Sequence, residues 1–160
     1  MKTLMKIVGF LSWFNLIVGA VLILGALLSG IGSGNIVYLL TSIVLVSAIV
    51  LHSYAALQLR KSIMHPEIPL GNQTPTGIRF IGFVALFFAF MNIVNSVTIL
   101  QHTADYAQQI KLPQGAPPVN LQKVLQVAGI FSLIFSACIL SNVILNFNLL
   151  RWYRANQKPG

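Results

Sequence analysis

The stretch FIGFVALFFAFMNIVNSVTIL, from Phe80 to Leu100, contains no Asp, Glu, Lys or Arg. At a rise of ~1.5 Å per residue, a helix needs about 20 apolar residues to cross the ~30 Å hydrocarbon layer of a bilayer. Only helices and closed barrels satisfy their backbone hydrogen bonds in lipid, and this run is far longer than a barrel strand. The stretch therefore predicts a transmembrane helix.

Three further runs have the same character, and Lys6 is the single charged residue in them. They are Met5–Leu28, Ile36–Leu59 and Val124–Leu150. Charged residues make up 8% of the chain, against about 25% in a soluble domain. The sequence predicts an all-α fold, an integral membrane four-transmembrane-helix bundle with spans at about 5–28, 36–59, 80–101 and 123–150. Too few residues remain for a separate soluble domain, so 1–160 is predicted to be a single domain.

The positive charges lie mostly on one side of the predicted membrane. Ten Lys and Arg residues stand against two carboxylates, for a net charge of +8. If the chain threads alternately, only Lys111 and Lys123 fall on the minority side. The positive-inside bias then predicts that both termini lie in the cytoplasm (N-in/C-in). The membrane is predicted to be the inner or plasma membrane of the cell. Trp152 and Tyr153 are predicted to be an interfacial anchor. This arrangement favours anionic lipid headgroups over nucleic acid as partners of the basic residues.

The connections predict two antiparallel hairpins. The neutral segment SGIGSGN, Ser29–Asn35, is typical of a tight turn between spans one and two. Prolines in Ser62–Gly77 oppose a helix there. The connection His102–Gln122 is expected to continue span three as helix through Asp105–Ile110 and to break at Pro113.

Each span carries a stripe of small or polar residues, which we expect to face the bundle interior because lipid does not solvate amides. Asn95 belongs to the stripe of span three. The candidate polar layer for a ligand comprises His52, Asn15, Asn142, Asn146 and Asn92. The helix rise places Asn15, His52 and Asn142, which belong to three different spans, at a similar depth in the membrane, and it places Asn92 somewhat deeper. His52 is interpreted either as a neutral imidazole bonded to an asparagine or backbone carbonyl, or as a proton or ligand site.

The opposite face of span three is aromatic. Four phenylalanines follow one another at spacings of 3, 4 and 3: Phe80, Phe83, Phe87 and Phe90. This phenylalanine row has two interpretations, a lipid-facing surface or a docking face for another protein.

Several chemistries lack the side chains that they need. The only carboxylates are Glu67 and Asp105, both in loops, which argues against proton-driven export through a buried acid and against paired-carboxylate hydrolysis. Thiol–disulfide exchange needs a second cysteine beside Cys138. The three histidines are predicted to lie too far apart to ligate one metal ion or haem. We therefore predict no catalytic residue, no metal site and no cofactor.

These observations predict a structural or accessory membrane protein, not an enzyme. It would form a homo-oligomer or act as a small subunit of a complex with another membrane protein. The alternative is a small-solute transporter or channel, or a lipid-binding module, that uses the polar layer around His52. An enzyme working with one histidine, amides and hydroxyls ranks third.

Overall fold

The computed structural model describes residues 2–33, 36–110 and 119–156. Within these ranges the regular structure is helical throughout, with no strand. The helices are α1 (Lys2–Ser33), α2 (Ile36–Met64), α3 (Thr74–Gln101), α4 (Thr103–Gln109) and α5 (Leu121–Asn156). All but α4 are long and apolar enough to cross a membrane. The prediction of an all-α chain with four apolar, span-length helices is confirmed for the described residues.

The long helices extend beyond the apolar runs. α1 continues to Ser33, so the segment predicted as a turn is largely helical, and the turn's last residues lie outside the described part. α2 continues to Met64 and α3 already begins at Thr74. The prediction that prolines keep Ser62–Gly77 free of helix was therefore wrong at both ends. Hydrophobicity marks only the part of a helix that suits lipid, and the backbone continues as helix beyond it.

The start of α3 explains one of these errors. Pro75 lies in the first helical turn, where its missing N–H leaves no hydrogen bond unmade. The backbone N–H of Thr74 donates to the Gly71 carbonyl at 3.0 Å, which closes a turn just before the helix. A proline would break the interior of a helix, but Pro75 is tolerated because it lies in the first turn of α3.

The segment after α3 forms a separate short helix. The backbone turns at His102 (φ −116°, ψ 32°), and α4 follows from Thr103 to Gln109. Span three therefore does not continue unbroken into this segment, and the helix ends one residue before the predicted Ile110. α5 begins at Leu121 with Asn120 as its cap, since the Asn120 Oδ1 accepts a hydrogen bond from the Lys123 N–H at 3.0 Å. The predicted break at Pro113 and the charge of Lys111 lie outside the described residues.

The described residues form two compact units. The first contains the chain up to Phe88 together with the chain from Cys138 onward. All four long helices contribute to an apolar cluster in this unit, which consists of Met5, Val8, Leu59, Ile78, Leu149 and Leu150. The second unit, Ala89–Ala137, contains the end of α3, α4 and the start of α5.

Glycines permit close helix contacts in the first unit. A Cβ at Gly9 would lie 2.8 Å from the Arg60 Cζ, and one at Gly19 would lie 2.7 Å from Val50 Cγ2. Small residues at such positions let helix backbones approach closely. Close packing of this kind holds helices together in lipid, where no hydrophobic driving force brings them together.

The outward-facing surface of the long helices is strongly apolar. Exposed side chains include Phe10 and Leu28 of α1, Val37 of α2, Phe80 of α3 and Val127 of α5. Asparagine, serine and histidine side chains are among the most buried groups. This distribution reverses the usual preference of soluble proteins and agrees with helices that face acyl chains.

Candidate functional site

A small hydrogen-bonded cluster joins α1 to α5 inside the first unit. The Ser12 hydroxyl donates to Oδ1 of Asn142 at 3.0 Å. The Asn146 amide donates to the same oxygen at 2.9 Å and to the Asn142 backbone carbonyl at 2.7 Å. Residues four apart share one helix face, so both α5 amides turn inward together. Two asparagines of the predicted polar layer are thus brought into direct contact.

Two further members of the predicted layer, Asn15 and His52, are buried in the same unit, each about 1% exposed. Among the described residues, no hydrogen bond links either of them to the Ser12–Asn142–Asn146 cluster. The Asn15 Oδ1 and both ring nitrogens of His52 have no hydrogen-bond partner in the described part of the chain.

Other polar groups of the same unit show the same deficit. Ser53 Oγ, Asn142 Nδ2 and Asn146 Oδ1 are also buried without a partner among the described residues. A buried polar atom that makes no hydrogen bond costs about 1–3 kcal/mol, and native proteins leave few such atoms. The concentration of these atoms on three helices gives the unit both donors and acceptors for a small polar molecule.

His52 lies in an aromatic and backbone environment. The Phe147 ring stands edge-on to the imidazole, with centroids 6.3 Å apart and planes at 86°. The backbone of Ile78 lies close to the ring, but neither ring nitrogen makes a hydrogen bond of ordinary distance and angle with a described residue. Among the described residues, no hydrogen bond of ordinary geometry supports the interpretation of His52 as an imidazole held by an asparagine or a carbonyl.

Gly82 makes the packing around His52 possible. A Cβ at this position would lie 2.6 Å from Cε1 of Phe147 and 3.1 Å from Cε1 of His52. The ring of Phe83 also packs against Phe147, with centroids 5.4 Å apart. Side chains from α2 and α5 thus pack against the backbone of α3 at Gly82.

The second unit holds Asn92, the remaining member of the predicted layer. Its amide nitrogen donates to the hydroxyls of Ser132 and Ser136 at 2.7 and 2.8 Å, which ties α3 to α5. Ser96 donates back to the Asn92 carbonyl at 2.7 Å. Asn95, which we expected on the same inward stripe, is exposed. The stripe of span three is therefore narrower than the sequence pattern indicated.

The phenylalanine row lies on the exposed side of α3. Phe80, Phe83, Phe87 and Phe90 are between 61% and 71% exposed. Both interpretations of the row, lipid contact and protein docking, require this exposure.

The remaining histidines pair with the carboxylates at the surface. Nδ1 of His65 lies 3.2 Å from Oε1 of Glu67, and Nδ1 of His102 lies 3.4 Å from Oδ2 of Asp105. The described residues contain no group of three His, Cys, Asp or Glu side chains placed to hold a metal ion. Each histidine–carboxylate pair is local in sequence and exposed, which is typical of loop structure.

In comparisons with known proteins, no protein-family model, no curated protein and no solved structure matches this chain.

Proposed function

We propose that the chain is an integral membrane protein that crosses the bilayer four times as two antiparallel hairpins, with both termini in the cytoplasm. The four long apolar helices support the crossings. For the first hairpin, Gly9 lies against Arg60 while Gly19 lies against Val50, so residue numbers along α1 rise as those along α2 fall.

Contacts in the second unit support the second hairpin. Asn92 bonds to Ser136, while Leu100 lies against Gly129 further along α3 and earlier in α5. With this threading, the basic residues at the ends of the described helices fall on one side, except for Lys123 near the start of α5. The positive-inside bias assigns the basic side to the cytoplasm.

Cysteine labelling tests this orientation. In a Cys138→Ser background, we expect Asn72→Cys to react with a membrane-impermeant maleimide only from the cytoplasmic face, and Gln122→Cys only from the opposite face. Both positions are exposed in the structure. Labelling of both cysteines from the same face would contradict the proposed threading.

We propose that the protein functions as a non-enzymatic accessory or oligomerising subunit. The exposure of α3 is the observation that supports this proposal. Only 17% of its span is buried within the chain, against 28–33% for the other three spans. The phenylalanine row occupies this underpacked helix. Helices associate in lipid through close packing of complementary surfaces, so the least covered helix is the best placed to meet another protein.

A second copy of the chain is the partner that we propose for this surface. A two-fold interface brings the same patch of both subunits together, and a row of rings at helical spacing can interdigitate with its own copy. Offset or edge-to-face ring pairs contribute about 0.5–1.5 kcal/mol beyond the area that they bury. The row from Phe80 to Phe90 contains no charged residue that would oppose such an approach.

The oligomer is tested with a double variant, Phe87→Ala with Phe90→Ala. We expect the wild type to be a defined oligomer in mild detergent and the double variant to shift to monomer, measured by light scattering on a sizing column. Phe83 is left intact because its ring packs on Phe147, so its loss would disturb the interior as well.

The matched control is Leu24→Ala with Leu28→Ala, which removes two side chains of α1 that are 61% and 76% exposed. This variant should keep the oligomer. A wild type that is monomeric at every concentration, or a control that dissociates as readily as the phenylalanine variant, would rule out the proposed interface.

The unpartnered polar atoms of the first unit, those of His52 among them, support a second candidate function, a small-solute or lipid-binding site in the membrane. The test is His52→Leu in proteoliposomes. If this candidate is right, the variant still folds but loses solute flux or binding. Unchanged flux would remove it.

A further inference from the structure

A cleft with a basic rim opens in the first unit beside the His52 packing. It has a volume of about 510 Å³ and lies between α3 and α5. Two guanidinium groups and one amide line it, together with apolar side chains: Arg79, Arg151, Asn148, Phe83, Phe147 and Leu150. The α3 and α5 side chains therefore combine cationic hydrogen-bond donors with aromatic and aliphatic walls.

Among the described residues, neither arginine of the cleft has an acidic partner. The whole sequence contains only Glu67 and Asp105 as carboxylates, and the ion pairs found for them are with His65 and His102. Neither carboxylate lines the cleft. Two guanidiniums that share one concavity repel each other, and a bound anion would relieve this repulsion. Guanidinium groups present planar forks of donors that match the oxygens of a phosphate.

The position of the arginines indicates the kind of anion. Arg79 immediately precedes the apolar run of α3, and Arg151 immediately follows that of α5. Trp152, beside Arg151, is 42% exposed, and tryptophan prefers the headgroup level of a bilayer. The rim thus lies where the apolar runs end, while Phe83 and Phe147 lie about one helical turn further into those runs.

We infer that this cleft is a binding site for the phosphate headgroup of an anionic phospholipid, with Arg79 and Arg151 on the phosphate and an acyl chain along Phe83 and Phe147. Basic pockets between helices on the cytoplasmic side of a membrane bind such headgroups. A free phosphate ion would use the guanidiniums alone and would leave the aromatic walls of the cleft uncovered. The inference rests on the proposed membrane location but does not require the oligomer.

Native mass spectrometry of the detergent-solubilised protein tests the site. The protein is titrated with dioleoyl phosphatidylglycerol, with dioleoyl phosphatidylcholine, and with inorganic phosphate. We expect phosphatidylglycerol to bind at least about tenfold more tightly than phosphatidylcholine, because the two guanidiniums repel the quaternary ammonium of choline. Arg79→Gln with Arg151→Gln should weaken phosphatidylglycerol binding by about tenfold or more, because hydrogen bonds to charged groups are the strong ones. The same spectra report the oligomeric state, so failure of the oligomer is seen separately.

The control variant, Lys61→Gln with Arg154→Gln, removes two basic charges that do not line the cleft. It should retain phosphatidylglycerol within about twofold of wild type, since general attraction between surface charges is weak and screened. Asn148→Asp places a carboxylate on the rim at an exposed position and should weaken binding even if the double arginine variant does not fold. Equal losses in the arginine and control variants, no effect of Asn148→Asp, or inorganic phosphate binding as tightly as the lipid would each overturn the inference.

Discussion

Gly82→Val is expected to lower the free energy of unfolding by about 2–3 kcal/mol, because added carbon atoms in a packed interior cost ~1–3 kcal/mol and more when neighbours cannot move. The first added atom alone would lie 2.6 Å from the Phe147 ring. That ring already packs against the rings of Phe83 and His52. The valine therefore has to displace side chains of two other helices.

Gly77→Val is the matched control for this change. Gly77 lies in the same helix, and a Cβ there would meet no atom within 4 Å. Equilibrium unfolding in mixed micelles should show the full loss for the Gly82 variant and little change for the Gly77 variant. Both substitutions make the same change in intrinsic helix propensity, so their difference isolates the packing term.

A second substitution tests the cause of the loss. Adding Phe147→Ala to Gly82→Val removes the ring that the valine would strike. We expect the double variant to be more stable than the sum of the two single losses predicts, because residues in contact couple by ~0.5–3 kcal/mol. Strict additivity would show that the valine acts elsewhere.

The helices could be predicted from the sequence, but their ends could not. The absence of charge over Phe80–Leu100 identifies a helix of span length, because no other open structure satisfies its backbone in lipid. The extensions of α1 to Ser33 and of α3 back to Thr74 lie in polar sequence. There, local capping and the permissive first turn around Pro75 decide the boundary, and hydrophobicity carries no information about it.

The site could be predicted only as a set of inward-facing groups. The polar stripes assign Asn15, His52, Asn142 and Asn146 to the bundle interior, and these four residues are buried in the first unit. Which of them bond to one another depends on helix rotations of a few tens of degrees, and Asn95 shows how easily a stripe is drawn too wide. The cleft between Arg79 and Arg151 was missed because positions far apart in sequence form it. Its one local signal was the pair of arginines at the edges of apolar runs.

Asn142→Leu and His52→Leu are expected to change stability in different directions, although both replace a fully buried polar side chain. Oδ1 of Asn142 accepts hydrogen bonds from Ser12 and Asn146. Leucine leaves the Ser12 hydroxyl buried without this acceptor, so we expect a loss of about 1–2 kcal/mol. The ring nitrogens of His52 bond to no described group, so leucine there should leave stability unchanged or raise it by up to about 1 kcal/mol.

The contrast between these two variants separates a structural polar group from a functional one. Unfolding in mixed micelles gives the stability of each variant, and Ser141→Leu, at the exposed position next to Asn142, controls for adding a leucine to α5. If His52→Leu loses as much stability as Asn142→Leu, the imidazole has a structural partner and the ligand hypothesis loses its basis. A stable His52→Leu protein that no longer binds or transports its solute would instead mean that the orphaned nitrogens serve a molecule from outside the chain. Burying a polar group without a hydrogen-bond partner is costly. A protein keeps such a group when its function requires it.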